Sequence, residues 1–161
     1  MKKIISISIL SILLTLTNNC SGYKPIFASK NMNFKISEHI TEGDKRIGNE
    51  IYSKLYRASS SKTNNKNIQD LNIYIKSEKE KMATAKDTTG KTLEYKMSLN
   101  INIKITKNTD KDVVLDKIYN SSLRYKIQEQ YSDTIKLENK SVKDIIDQIY
   151  QNILIDLSKN I

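Results

Sequence analysis

The chain has 161 residues, 38% apolar and 28% charged, with a net charge of +9. This length argues for one domain, and the composition indicates a thin core rather than a disordered chain. With one histidine and one cysteine in the chain, His-based triads, Cys–His dyads and Cys/His metal clusters are excluded. The positive balance suits an anionic partner, such as a phosphorylated lipid or a membrane surface. Nucleic acid is not expected, because the lysines are spread through the chain and no DNA- or RNA-binding motif is visible. A second reading is compositional. Lys, Asn and Ile abound while Gly, Pro and Trp are scarce, as in very AT-rich genomes.

Lys2 and Lys3 precede an apolar run from Ile4 to Leu16, broken only by Ser and Thr. As a helix this run spans about 20 Å, too short for a bilayer core of about 30 Å. It has the form of a secretory signal and ends at Cys20, the only cysteine. The expectation is a signal peptide over residues 1–19 whose loss lowers the charge from +9 to +7, since it carries Lys2 and Lys3. A signal closing on a single Cys resembles a bacterial lipoprotein, which implies acylation at Cys20. Several acyl chains hold a membrane stably where one does not. Thr17 and Asn19 stand where a lipobox usually has Leu and a small residue. The alternative is a secreted chain with a free thiol. Ser21 follows the Cys in place of the Asp that retains such proteins in the inner membrane, which by analogy favours the outer membrane.

Residues 20–33 read as a lipidated linker, and residues 34–161 as one α+β domain. Pro25 sets an extended or turn conformation in Gly22–Phe27. Phe34–Ser37 is a short strand candidate. Thr41-Glu42-Gly43-Asp44 has the form of a capping box with Asp in place of Glu. Ile47, Ile51 and Leu55 then recur every four residues, which predicts a helix over about Glu42–Arg57. Ala58–Asn67 reads as a polar loop. His39 has no visible catalytic or metal partner and reads as a loop or strand-end residue.

Leu71, Ile73 and Ile75 open a strand that runs to Asp87. Thr88-Thr89-Gly90 fits a three-residue hairpin loop with Gly in the left-handed region. The return strand is the clearest signal in the chain. From Leu93 to Ile105 every odd position is apolar and no even position is, the mark of a strand with one buried face. Burying those seven side chains contributes at most roughly 10–20 kcal/mol gross. The loop sets Asp87 against Lys91, Ala85 against Leu93, Ala83 against Tyr95, Lys81 against Met97 and Ile75 against Ile103. Both apolar faces then lie on one side. A turn near Asn108–Asp112 leads to a further strand over Val113–Ile127. Ser141-Val142-Lys143-Asp144 reads as a second cap, and Ile145, Ile146, Ile149, Ile153, Leu154 and Leu157 follow at helical spacing. This predicts a helix over about Ser141–Ser158, with a start near Ser132 as the alternative.

The expected fold is a two-layer α+β sandwich, β-α-β-β-β-α, with two helices on one face of a four-stranded sheet. Two short helices would cover the base of the long hairpin and leave its tip protruding. That tip would expose Tyr95, Met97 and Tyr125, rimmed by Lys79, Lys81, Lys86 and Lys91, and would suit a protein partner or an acylated phosphosugar. Arg124, on the polar face, is a further candidate of the same kind. The alternative is that the lysine stems lie over the sheet as solvated cover. Gly90 stands alone, so no phosphate-cradling loop is present, and the carboxylates lack metal-loop spacing. A non-catalytic chain without metal or cofactor is expected.

Cys20 followed by Gly22-Tyr23-Lys24-Pro25-Ile26-Phe27, with Ser21 inserted, resembles the Cys-Gly-Phe-x-Pro-Leu-Tyr start of the LPS-assembly lipoprotein family LptE. The order of elements also matches. The resemblance implies an outer-membrane lipoprotein on the periplasmic side that sits inside the β-barrel LptD. There it would help the barrel fold, plug it and bind lipopolysaccharide in transit. Two other functions remain open: an accessory lipoprotein of an ABC-type lipid transport system, and a small cell-wall hydrolase, for which no carboxylate stands out.

Overall fold

The computed structural model describes residues 33–59 and 68–161. The signal segment, Cys20, the Gly22–Phe27 motif and most of the polar loop after Ala58 lie outside the described residues. In chain order the elements are β1 (Phe34–Gly43), α1 (Lys45–Ala58), β2 (Gln69–Lys86), β3 (Thr92–Lys107), β4 (Val113–Lys126) and α2 (Tyr131–Leu157). They form the expected sandwich, with a four-stranded sheet in the order β1-β2-β3-β4. Helix α1 lies on β1 and β2, and α2 lies on β4 and β3. The core is the layer between, where Ile75, Ile101, Ile103 and Ile105 meet Ile47, Ile51, Leu55, Ile145 and Ile153, all fully buried.

The hairpin register follows the turn. Asp87 Oδ1 accepts from Thr89 N and Lys91 N at 2.9 Å each, and Gly90 takes φ +86°. Ala83 faces Tyr95, Lys81 faces Met97 and Ile75 faces Ile103, as expected. One pair differs. An irregularity at Ala85 sets that residue opposite Glu94, not Leu93, and Leu93 is left 46% exposed.

β1 is longer than its apolar signal, running to Gly43 and pairing with β2 in parallel. Its register shifts between Ile36 and Glu38, so the inward face changes parity there. Phe34 and Ile36 point into the core. Past the shift, Thr41 lies against Gly48 of α1, while Ile40 is 60% exposed. His39 is therefore a strand residue, stacked on Tyr52 of α1 with ring centroids 3.6 Å apart.

The expected cap on Thr41 is displaced by three residues. Asp44 caps α1, accepting from Arg46 N at 3.1 Å and Ile47 N at 3.2 Å. Thr41 is held in the strand by the β1–β2 ladder. The junction is pinned to β2 at Ser77, a fully buried residue. Ser77 Oγ donates to Asp44 O at 2.7 Å, and Ser77 O accepts from Asp44 N at 2.8 Å. Gly43, at φ +75°, sits against that carbonyl, where a Cβ would collide. Helix α1 thus begins level with Ser77 and can serve only the part of the hairpin below it.

α2 starts at Tyr131, as the alternative start near Ser132 anticipated and ten residues before the cap-like Ser141. Ser141 is a buried mid-helix residue. The first turn lacks a side-chain cap on Gln130; instead buried Thr134 accepts from Gln128 N at 2.9 Å. Only Tyr131, Ile135 and Leu137 are apolar in Tyr131–Lys140, so the local pattern is weak there. At 1.5 Å per residue, α2 reaches about 40 Å, enough to follow the hairpin toward its tip.

Candidate functional site

The added length of α2 changes the tip. Met97 is fully buried and Tyr125 is 6% exposed, whereas a protruding apolar end was expected. Tyr95 is partly buried against the same cluster. What closes the tip is a polar seam. Glu138 of α2 accepts from Lys81 Nζ at 2.6 Å and from Tyr125 Oη at 3.0 Å. Lys81 Nζ also lies 4.3 Å from the Tyr95 ring centroid, within cation–π range. The Lys81 hydrogen bond, with help from Tyr125, holds the Glu138 carboxyl below its ordinary range. The same contact raises Lys81.

The lysines therefore divide. Lys81 is engaged in the seam. Lys79, Lys86 and Lys91 are exposed, Lys86 and Lys91 at the mouth of the turn. Over Glu78–Lys86, β2 is largely uncovered, so a cationic margin does remain at this end; the apolar side chains exposed beside it are Met82 and Leu93, not the expected Met97 and Tyr125. Arg124 lies on the opposite face of the sheet, apart from the other candidates.

Among the described residues no helix covers that opposite face, and the register orders its side chains into rungs. On β3 and β4, Lys96 pairs with Arg124, Ser98 with Ser122 and Asn100 with Asn120. Successive rungs thus present two cations, two hydroxyls and two amides. Like charges directly opposite each other on a sheet are destabilising. Among the described residues, neither Lys96 nor Arg124 joins an ion pair. On β2, Glu80 pairs with Ser98 and Glu78 with Asn100. All of these residues except Arg124 line an open trough of about 610 Å³. Two smaller hollows lie on the same face, one beside Ile118 and one beside Ile40 and Tyr74. The sequence reading singled out Arg124 but not Lys96. The missing signal was the β3–β4 register, which the Asn108–Asp112 turn sets.

Among the described residues, no group of three His, Cys, Asp or Glu side chains could hold a metal ion. No described helix is long and apolar enough to cross a membrane.

No protein-family model and no curated protein sequence matches the chain. Solved structures do match in fold. A minor lipoprotein from Acinetobacter baumannii superposes with a TM-score of 0.55 at 10% identity, covering 80% of this chain and 92% of that one. Rare lipoprotein B from Shewanella oneidensis gives 0.53 at 11% identity, covering 76% and 94%. Lipoprotein B from Nitrosomonas europaea gives 0.53 at 11% identity, covering 76% and 85%. At these identities the likeness establishes a shared fold.

Proposed function

We propose that the chain is a non-catalytic lipoprotein, anchored through Cys20 on the periplasmic side of the outer membrane, that assembles with an LptD-type β-barrel. There it plugs the barrel and helps deliver lipopolysaccharide. The observation that carries this reading is the fold shared with three bacterial lipoproteins over most of their lengths. The Cys20–Phe27 resemblance, drawn independently from sequence, points the same way.

The physical logic is that of a rigid insert. One face of the sheet is largely covered by two helices, and the other is mostly polar, with Ile40, Met82 and Ile118 exposed on it. Such a body suits a hydrated barrel lumen, where the polar face meets water and the isolated apolar side chains can meet the wall. The charge of +7 left after loss of Lys2 and Lys3 (9 − 2) favours encounter with an anionic glycolipid. Lys86 and Lys91 at the hairpin mouth, and Lys79 farther down β2, can meet phosphates without disturbing the core, since none of them is buried.

The test is affinity purification of the full chain from membranes, with partners identified by mass. A large outer-membrane barrel should co-purify, and depletion of the chain should leave that barrel misassembled. Mass analysis of the same sample should find acyl chains on Cys20. Recovery as a free monomer, with the barrel intact in its absence, defeats the reading.

A further inference from the structure

We infer that β4 is a self-pairing edge. A second copy of the chain lays its own β4 antiparallel against this one, centred on Asn120, and the two four-stranded sheets join into one. The inference concerns the chain by itself and does not rest on the barrel partnership.

The backbone supplies the first observation. β4 closes the sheet on one side, and among the described residues no strand pairs with its outer edge. Ile127 N donates to Leu93 O at 2.9 Å, and the β3–β4 register runs unshifted from Glu94/Lys126 to Ile105/Leu115. Alternate residues of an antiparallel strand turn both backbone groups to the same side. The odd residues of β4 therefore serve β3, while Asp116, Ile118, Asn120, Ser122 and Arg124 hold N–H and C=O groups out to the free edge. Proline, a bulge or a row of lysines ordinarily blunts such an edge. Asp116–Arg124 contains no proline and no register shift, and its charges are of both signs.

The side chains select the occupant and the register. A partner β4 centred on Asn120 sets Asp116 against the second copy's Arg124, Ile118 against its Ser122 and Asn120 against its Asn120, and the two-fold repeats each pair. Among the described residues Arg124 joins no ion pair. Asp116 lies 3.8 Å from Lys104, beyond hydrogen-bond distance. Both ends of the new Arg–carboxylate pair thus have capacity for it. Ile118 is 56% exposed and Leu123 37% exposed, and the second copy covers both, one on each face of the sheet. Centres on Ser121 or Tyr119 leave Arg124 opposite Ile118 or Val114 instead. A partner strand of one charge sign would meet repulsion at Asp116 or at Arg124; a second copy meets attraction at both.

The experiment is sedimentation of the purified full chain in density-matched neutral detergent at micromolar concentrations, where a dimer is expected and a monomer throughout overturns the inference. Arg124→Asp and Asp116→Arg each set like charges face to face at two places, and each should weaken the dimer about tenfold or more while circular dichroism shows an intact fold. The two single variants mixed together, or both changes in one chain, oppose unlike charges again and should restore it; failure of both rescues overturns the inference. Asn120→Pro removes an N–H that β3 does not use, so it should leave the monomer folded and abolish pairing. If Asn120→Pro unfolds the chain, the charge exchange decides alone. In a Cys20→Ser chain, Asn120→Cys should form an intermolecular disulfide on mild oxidation, since a directly opposed hydrogen-bonded pair has Cα atoms about 5.5 Å apart. Lys126→Cys, about 40 Å from its counterpart at about 3.3 Å per residue, should not. Equal yields would mean random collision and overturn the inference, as would capture of a different protein at position 120 in membranes with no bond between copies. The dimer is measured without the barrel, so the two readings can fail separately.

Discussion

The base and the tip of the sandwich bury the same strand against different neighbours. At the base, Ile103 and Ile105 of β3 face Ile75 and Ile73 of β2, under both helices. At the tip, Met97 and Leu99 face Lys81 and Lys79, under α2 alone. Met97 and Leu99 are nonetheless as buried as the isoleucines. A strand can therefore lose one apolar neighbour and stay dry, provided the covering helix carries a carboxylate for the lysine and the lysine stem lies along the sheet. Glu138 does this at the tip. Asp156 makes a parallel grip farther down β4, accepting from Lys117 Nζ at 2.7 Å and Tyr119 Oη at 2.9 Å.

Matched truncations should expose the difference. Ile103→Ala should destabilise the fold by roughly 3–5 kcal/mol in urea denaturation, because the base is enclosed from both helices and can relax little. Met97→Ala should cost less, roughly 2–3 kcal/mol, with hydrogen exchange accelerating in Tyr131–Lys140 before the rest of α2. Equal costs and uniform exchange would mean that tip and base form one rigid unit.

Gly43→Ala tests the junction that confines α1 to the base. The added Cβ meets the Ser77 carbonyl at a positive φ, so a loss of about 2–4 kcal/mol is expected. Gly90→Ala, also at positive φ but in open space, should cost only about 1 kcal/mol.

The seams predict an acid sensitivity of definite sign. Hydrogen bonds from Lys117, Tyr119 and Lys159 bring Asp156 to a pKa of about 2, and Glu138 is also depressed. A carboxyl depressed in the folded state contributes stability that is complete above its unfolded pKa, about 4. That contribution is lost as pH falls through the folded value. The melting temperature should therefore drop between about pH 4 and pH 2, and the Glu138→Gln/Asp156→Asn double variant should flatten that drop. Glu138→Gln alone should loosen the first turns of α2 more than the last.

The smallest effect has the opposite sign. Lys96→Gln relieves the like-charge rung with Arg124 and should stabilise the fold by a few tenths of a kcal/mol at low salt, an effect that fades as salt is added.

The strands of the hairpin, their inward faces and most of their register were legible in residues 71–105, because a period of two and a Gly-closed turn are local properties. The helical stripes of Ile47–Leu55 and Ile145–Leu157 were legible for the same reason. Three features were not, or only in part. The parallel pairing of β1 past Ser37 depends on a register shift against β2, and no apolar alternation marks it. The early start of α2 was legible only as the alternative near Ser132, because it rests on Thr134, Leu137 and Glu138 finding partners on strands already assembled; a segment with three apolar residues in ten gives a weak sign of this alone. The Lys96/Arg124 rung exists only once β3 and β4 are in register, since residues 28 positions apart share no local pattern. Periodicity and turn chemistry thus determined which segments fold and which faces they bury. Long-range pairing decided what covers the tip and which charges meet on the open face, because those outcomes depend on contacts between segments distant in sequence.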